Sequence, residues 1–287
     1  MNRRIFTRTT VTALLGALLS LSGIVPTQAL ATNEYWQAHD QTSADTIDHS
    51  YWTSFLDRYV IKYKDRVNRV RYAQVRPADK GGLDAYVKKL ESVEITQYNR
   101  DEQRAYWINL YNAVTVQQIL EHYPVASIRD IRSGFFSSGP WKKELITVEG
   151  ITLTLDNIEH DILRPIWQDP RIHYAVNCAS IGCPNLQMVA FDAGNTDALL
   201  DQGAFEFINH PRGAWVSNGN LRVSSIYDWF QEDFGNTEQG VIEHIRQYAD
   251  EELTQRLAGI EEIDSYEYDW TLNGLVPVKR TSNRVGS

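Results

Sequence analysis

The chain has 287 residues, with 28 Lys and Arg against 37 Asp and Glu, for a formal net charge of −9. That balance excludes a protein that coats nucleic acid through a basic face, since no basic stripe is available to neutralise phosphates. A hydrophobic fraction of 43% with only 9 prolines excludes a disordered chain and supplies enough apolar surface for a core.

In chain order, Arg3, Arg4 and Arg8 form a positive n-region ahead of a short apolar run from Val11 to Val25, and Ala29-Leu30-Ala31 offers a small-residue cleavage site. Residues 1–31 therefore read as a signal peptide removed before Thr32. The protein is then periplasmic or secreted, with no membrane span once the leader is cleaved. The run is shorter than the ~20 residues a bilayer helix needs and is diluted by Gly16, Ser20, Ser22 and Gly23. The segment Asn2-Arg3-Arg4-Ile5-Phe6 also resembles a twin-arginine leader, so both export routes stay open. Residues 32–45 are polar without periodicity and are expected to be a disordered N-terminal segment. Residues 46–278 show no Pro/Gly/Ser linker and no repeat and are expected to form one domain, with 279–287 a disordered tail.

Within that domain, helices are expected at 51–61 and 81–91, and the strongest runs from Arg100 to His122. Asn99 and Glu102 have capping-box spacing, Pro124 stops the pattern, and apolar residues cover most of the helix surface. Asn109 and Asn112 lie three apart inside that apolar run, which predicts that their amides clamp the backbone of neighbouring segments or orient a site. Leu145 to Leu155 alternates like a hairpin about Glu149-Gly150, and Asp156 with Glu159 suggests a second capped helix reaching Trp167, its last turn weakened by Pro165. Strands are expected at 172–178, 215–216, 221–223 and 265–270, and helices at 196–209, 226–233 and 238–249. The order of elements points to an α+β fold, a single two-lobed domain with helices packed on a small, mainly antiparallel sheet.

Chemistry concentrates between Arg171 and Leu186, where both cysteines of the chain, Cys178 and Cys183, fall within six residues in a turn punctuated by Gly182 and Pro184. In an exported chain a C-x4-C pair reads as a disulfide, closing a loop worth roughly 2 kcal/mol. The same residues read as a thiol nucleophile beside an imidazole, because a thiolate at a turn with a proton acceptor nearby is activated. A third reading groups Cys178, Cys183, His160 and His173 as tetrahedral zinc ligands, but C-x4-C is an uncommon knuckle spacing and there is no second cysteine pair. Glu159 has a simpler explanation as a capping residue and His160 as a hydrogen-bonded core histidine. His122 suits a helix C-terminus. No Gly-x-Ser-x-Gly elbow and no phosphate loop occur. Neither a cofactor nor a metal is expected.

The segments Tyr106-Trp-Ile-Asn-Leu-Tyr-Asn-Ala113, Leu155-Asp-Asn-Ile-Glu-His-Asp-Ile-Leu-Arg164, Arg171-Ile-His-Tyr-Ala-Val-Asn-Cys178, Gly182-Cys-Pro184 and Tyr268-Asp-Trp-Thr-Leu-Asn273 together resemble the DUF547 family over most of the mature chain. The family name carries no reaction. The resemblance implies that His160, His173, Cys178 and Cys183 occupy motif positions with Glu159 beside them. It also implies a thiol site, since the family has plant members without a secretory leader. The two-lobed α+β character is similar to papain-like thiol enzymes, a likeness of fold only. On these expectations the protein is a thiol-dependent hydrolase or transferase acting on an amide or thioester-like bond of a peptide or small-molecule substrate. Cys183 is preferred to Cys178 as nucleophile because it lies in the loop rather than in the strand; His160 or His173 would be the base, and Glu159 or Asn177 would orient it. The alternative is a non-catalytic binding or scaffolding module stapled by a Cys178–Cys183 disulfide.

Overall fold

The computed structural model describes residues 32–132 and 138–275. The expected leader, 1–31, and tail, 279–287, lie outside these residues. The fold is α+β. The N-terminal half is helical: α1 (Thr32–Trp36), α2 (Ser50–Tyr59), α3 (Pro77–Glu91) and α4 (Arg100–His122), with the hairpin β1 (Val60–Lys62) and β2 (Asn68–Val70) between α2 and α3. A second hairpin, β3 (Ile146–Val148) and β4 (Ile151–Leu153), leads into a π-helix, Asn157–Leu163, continued by α5 (Arg164–Trp167). The C-terminal half holds α6 (Thr196–Ile208), β5 (Ala214–Ser217), β6 (Asn220–Ser224), α7 (Ile226–Trp229), α8 (Glu238–Tyr248), α9 (Glu251–Arg256) and β7 (Ser265–Glu267). Among the described residues the strands form three small sheets, with β5-β6-β7 the largest; its β6–β7 pairing is parallel and the other strand pairs are antiparallel.

Two hydrophobic cores give the two lobes. The first gathers α2, α3 and the β3-β4 hairpin around α4, whose Trp107, Ile108, Leu110 and Val114 are fully enclosed. The second is built from the end of α6, the three-stranded sheet, α7, α8 and α9, around Phe207, Tyr227 and Ile242. Residues 32–45, expected to be disordered, are docked on the first core. Trp36 is buried edge-on against Trp107 at 4.9 Å, and Arg100 donates to the carbonyls of Trp36 and Gln37. Trp36, with Tyr35 packed beside it, offsets the ordering cost of a segment that is otherwise mostly polar.

Local chemistry explains where elements begin. Asn99 Oδ1 accepts from the backbone N–H of Asp101 and Glu102 and starts α4 as expected, but the Glu102 carboxylate turns away to Ile47 N–H, so the reciprocal half of the box is absent. The box expected at Asp156 and Glu159 is displaced two residues upstream. Thr154 Oγ1 accepts from Asn157 N–H at 3.0 Å, and Asn157 Oδ1 accepts from Thr154 N–H at 3.0 Å. Glu159 is thereby released from capping. The expected strand at 172–178 is instead a 3-10 turn, Pro170–Tyr174. Asp169 Oδ1 accepts from Arg171 N–H and Pro170 supplies the fixed φ of a first helical position. The β3-β4 hairpin turns at Glu149-Gly150, as the alternation predicts, with φ positive at both residues.

Candidate functional site

Three segments far apart in sequence build the site, held together by backbone and side-chain hydrogen bonds. The cysteine loop, Asn177 to Asn185, rests on α4: Asn112 donates to Ala175 O at 2.9 Å and accepts from Asn177 N–H at 2.8 Å. Asn109 clamps Phe191 in the same two-sided way. The segment 268–273 runs antiparallel to this loop, with Ile181 N–H donating to Thr271 O and Gly182 N–H to Asp269 O, both at 2.8 Å. Gly182 is required by the close approach, because a Cβ there would stand 2.7 Å from the Asp269 nitrogen. This pairing brings Tyr268 to the cysteines. The third segment is the turn after α7, which supplies Phe230 and Asp233.

These segments enclose a cavity of about 190 Å³ between the two lobes, walled by Trp141, Trp229, Trp270, Tyr268 and Phe230 and lined by Asp156, Glu159, His160, His173, Cys178 and Cys183. Both cysteines are free thiols. Cys178 is half-buried, and its Sγ lies 2.8 Å from Tyr268 Oη and 3.2 Å from Ser180 Oγ; those two hydroxyls are 2.9 Å apart. Cys183 is buried, and its Sγ accepts from the backbone N–H of Cys178 at 3.0 Å. Burial works to raise the Cys178 thiol, but hydrogen bonds from Cys183, Ser180 and Tyr268 outweigh it and bring the group below the usual thiol range. Burial pushes Cys183 well above that range, and its partner's charge adds to the effect.

His173 is sealed among aromatic rings, stacked on Phe230 at 4.5 Å between centroids. Its Nε2 meets Asp233 Oδ2 at 2.6 Å and its Nδ1 lies 4.0 Å from Glu159 Oε1. Asp233 also takes Arg164 Nε at 2.5 Å; burial raises its carboxyl, while the His173 and Arg164 contacts lower it to about 2. His160 is half-buried, with Nδ1 3.2 Å from Arg164 Nη1. Glu159 is buried against Tyr111. Among the described residues neither imidazole lies within hydrogen-bond reach of either sulfur, and no cluster of three or more His, Cys, Asp or Glu side chains is placed to hold a metal ion.

The family model of DUF547, described as a protein of unknown function, matches residues 95–208, from the turn before α4 to the end of α6. That match assigns residues 95–208 to DUF547. No curated protein and no solved structure matches the chain significantly. The matched stretch contains the whole cysteine loop, both candidate histidines and Glu159, while Tyr268, Trp270, Phe230 and Asp233 come from the chain beyond it.

Of the residues singled out from sequence, Cys178, Cys183, His160, His173 and Glu159 converge on the one cavity. Asn177 does not serve an imidazole. Its amide donates to Pro184 O at 2.7 Å and accepts from Ala179 N–H at 2.9 Å, which bolts the cysteine loop shut. The ground for preferring Cys183, its position in a loop against Cys178 in a strand, is absent because no strand exists there; of the two sulfurs Cys178 is the less buried and the one held below the usual thiol range. The carboxylate that orients His173 is Asp233, which carries no sequence signal, since it sits 60 residues away in an ordinary acidic turn. Tyr268 stood inside a motif already noted, but nothing in its neighbours tied it to sulfur.

Proposed function

We propose that this protein is a thiol-dependent hydrolase or transferase acting on an amide or thioester-like bond, exported and processed before Thr32. One observation carries the reading: Cys178 opens on an aromatic-walled cavity with Sγ held by the Tyr268 and Ser180 hydroxyls, which favour the thiolate. The thiolate attacks the acyl carbon, and the carbonyl π pair moves to oxygen. As that pair returns, the bond to the leaving nitrogen or sulfur breaks and the leaving group takes a proton from the His173 imidazolium. The imidazole left behind removes a proton from water, or from a second nucleophile, whose oxygen or nitrogen then displaces Cys178 from the acyl carbon. Asp233 holds His173 through Nε2, which directs Nδ1 to this work, and Glu159 faces that nitrogen as the imidazolium forms. His173 acts on the leaving group and on water rather than on the sulfur, in keeping with the lack of a hydrogen bond between it and Cys178.

The test is mass spectrometry of the intact protein after brief exposure to a panel of activated esters and thioesters. An acyl increment mapped to Cys178, absent from Cys178→Ser and long-lived in His173→Gln, is the expected result. Acylation that is absent from the folded protein, or that falls on Cys183, contradicts the assignment. Export is tested separately by the intact mass of the protein recovered outside the cytoplasm, which is expected to begin at Thr32.

A further inference from the structure

The cavity wall differs from its floor in a way that nucleophilic catalysis alone does not require. Trp229, 43% exposed, lies over Trp270 at 5.6 Å with the rings 27° apart and meets Tyr268 at 4.9 Å, while Trp141 packs edge-on to Trp270 at 5.7 Å. Asp156 and Glu159 line the same cavity, and among the described residues no Lys or Arg lines it. Glu159 is 8% exposed, hydrogen-bonded to Tyr111 and, among the described residues, paired with no Lys or Arg; its ion-pair neighbour at 4.0 Å, His173, is shared with Asp233. A buried carboxylate without a full counter-charge is costly, and π faces attract cations most strongly where water is excluded. Trp270 already holds one cation in this way, the Arg129 guanidinium at 5.2 Å.

We infer that the aromatic wall formed by Trp141, Trp229, Trp270 and Tyr268, together with Asp156 and Glu159 in the same cavity, selects substrates carrying an alkylammonium group beside the bond that Cys178 attacks. This rests on the thiol-site reading for the bond and adds the chemistry of the neighbouring group. A sugar would stack on the same rings and satisfy hydrogen bonds, but it would leave the Glu159 charge uncompensated, so a cation fits the observations better.

Choline and its neutral isostere 3,3-dimethylbutan-1-ol separate charge from shape, with N-acetylglucosamine as the saccharide arm. Binding is read by quenching of intrinsic tryptophan fluorescence in full-length wild type and in Cys178→Ser, Glu159→Gln, Trp229→Leu and Trp229→Phe, each checked for a native melting transition. Choline is expected to quench saturably in wild type and in Cys178→Ser. The neutral isostere is expected to bind about tenfold or more weakly, Glu159→Gln and Trp229→Leu to lose choline affinity about tenfold, and Trp229→Phe to keep most of it. Equal binding of choline and its isostere, tighter binding of N-acetylglucosamine, or no choline binding by the folded protein overturns the inference. Because the readout needs no thiol chemistry, an unreactive Cys178 in a protein that still prefers choline would sink the hydrolase reading and leave the cation site standing.

Discussion

Asn112 shows how a polar residue inside an apolar helix carries the site. Its carboxamide satisfies one donor and one acceptor of the cysteine segment at once, Asn177 N–H and Ala175 O, on a stretch of α4 where Ile108, Leu110, Ala113 and Val114 are fully buried. Replacing it with Leu adds apolar surface yet strands both backbone groups, so Asn112→Leu is expected to lower stability by ~1 to 3 kcal/mol for each stranded group. Chemical denaturation measures this; an unchanged or raised midpoint would show that the clamp contributes nothing. That clamp was legible in the sequence, because two amides three apart in a hydrophobic run have few ways to be satisfied. The partner of His173 was not, since a carboxylate brought from a distant turn leaves no periodic or spacing signature.

Elements that begin with a local hydrogen bond were the ones the sequence could place. Asn99 marks the start of α4 and Glu149-Gly150 the β3-β4 turn, both through interactions within four residues. The 3-10 turn at Pro170–Tyr174 was misread as a strand because its alternating Ile172, Tyr174 and Val176 satisfy a two-residue period while Asp169 and Pro170 decide the conformation. At the same scale, the cysteine loop and segment 268–273 lie so close that a methyl group cannot enter between them. Gly182→Ala is therefore expected to separate the two segments, cost ~1 to 3 kcal/mol, and withdraw the Tyr268 hydroxyl from Cys178. A variant with wild-type stability and wild-type Cys178 alkylation at neutral pH would contradict the role given to this contact.

At the scale of the molecule, each lobe encloses one histidine whose ring is held by a tyrosine hydroxyl, His49 on Tyr86 at 2.6 Å in the first and His244 on Tyr174 at 2.8 Å in the second. Burial lowers both to about 4 from the ordinary 6.5. Between those values the unfolded chain binds protons that the folded protein refuses, so stability is complete above about pH 6.5 and declines as the pH falls toward about 4. Asp233 acts lower on the scale: with its folded carboxyl at about 2, its contribution persists to pH ~4 and is lost below, as the Arg164–Asp233–His173 bridge between the lobes is protonated. Melting temperature against pH is expected to fall first across the histidine window, and a His49→Gln, His244→Gln double variant to flatten that first decline while leaving the acid limb. A first decline that survives in a folded double variant would contradict the assignment.

The lobes, the clamp and the C-terminal segment meet at one sulfur, so the reactivity of Cys178 reports on the whole assembly. The direct measurement is the rate of iodoacetamide alkylation against pH, mapped to each cysteine by peptide mass, in wild type, Cys183→Ser and Tyr268→Phe. Modification is expected almost wholly at Cys178, with a midpoint below that of an ordinary thiol, which is ~8.5. In Tyr268→Phe the midpoint is expected to move upward, because a hydrogen bond to the thiolate is removed. In Cys183→Ser the thiol is expected to remain reactive. Preferential modification of Cys183, or a Cys178 midpoint at or above the ordinary thiol value in folded wild type, would contradict Cys178 as the nucleophile.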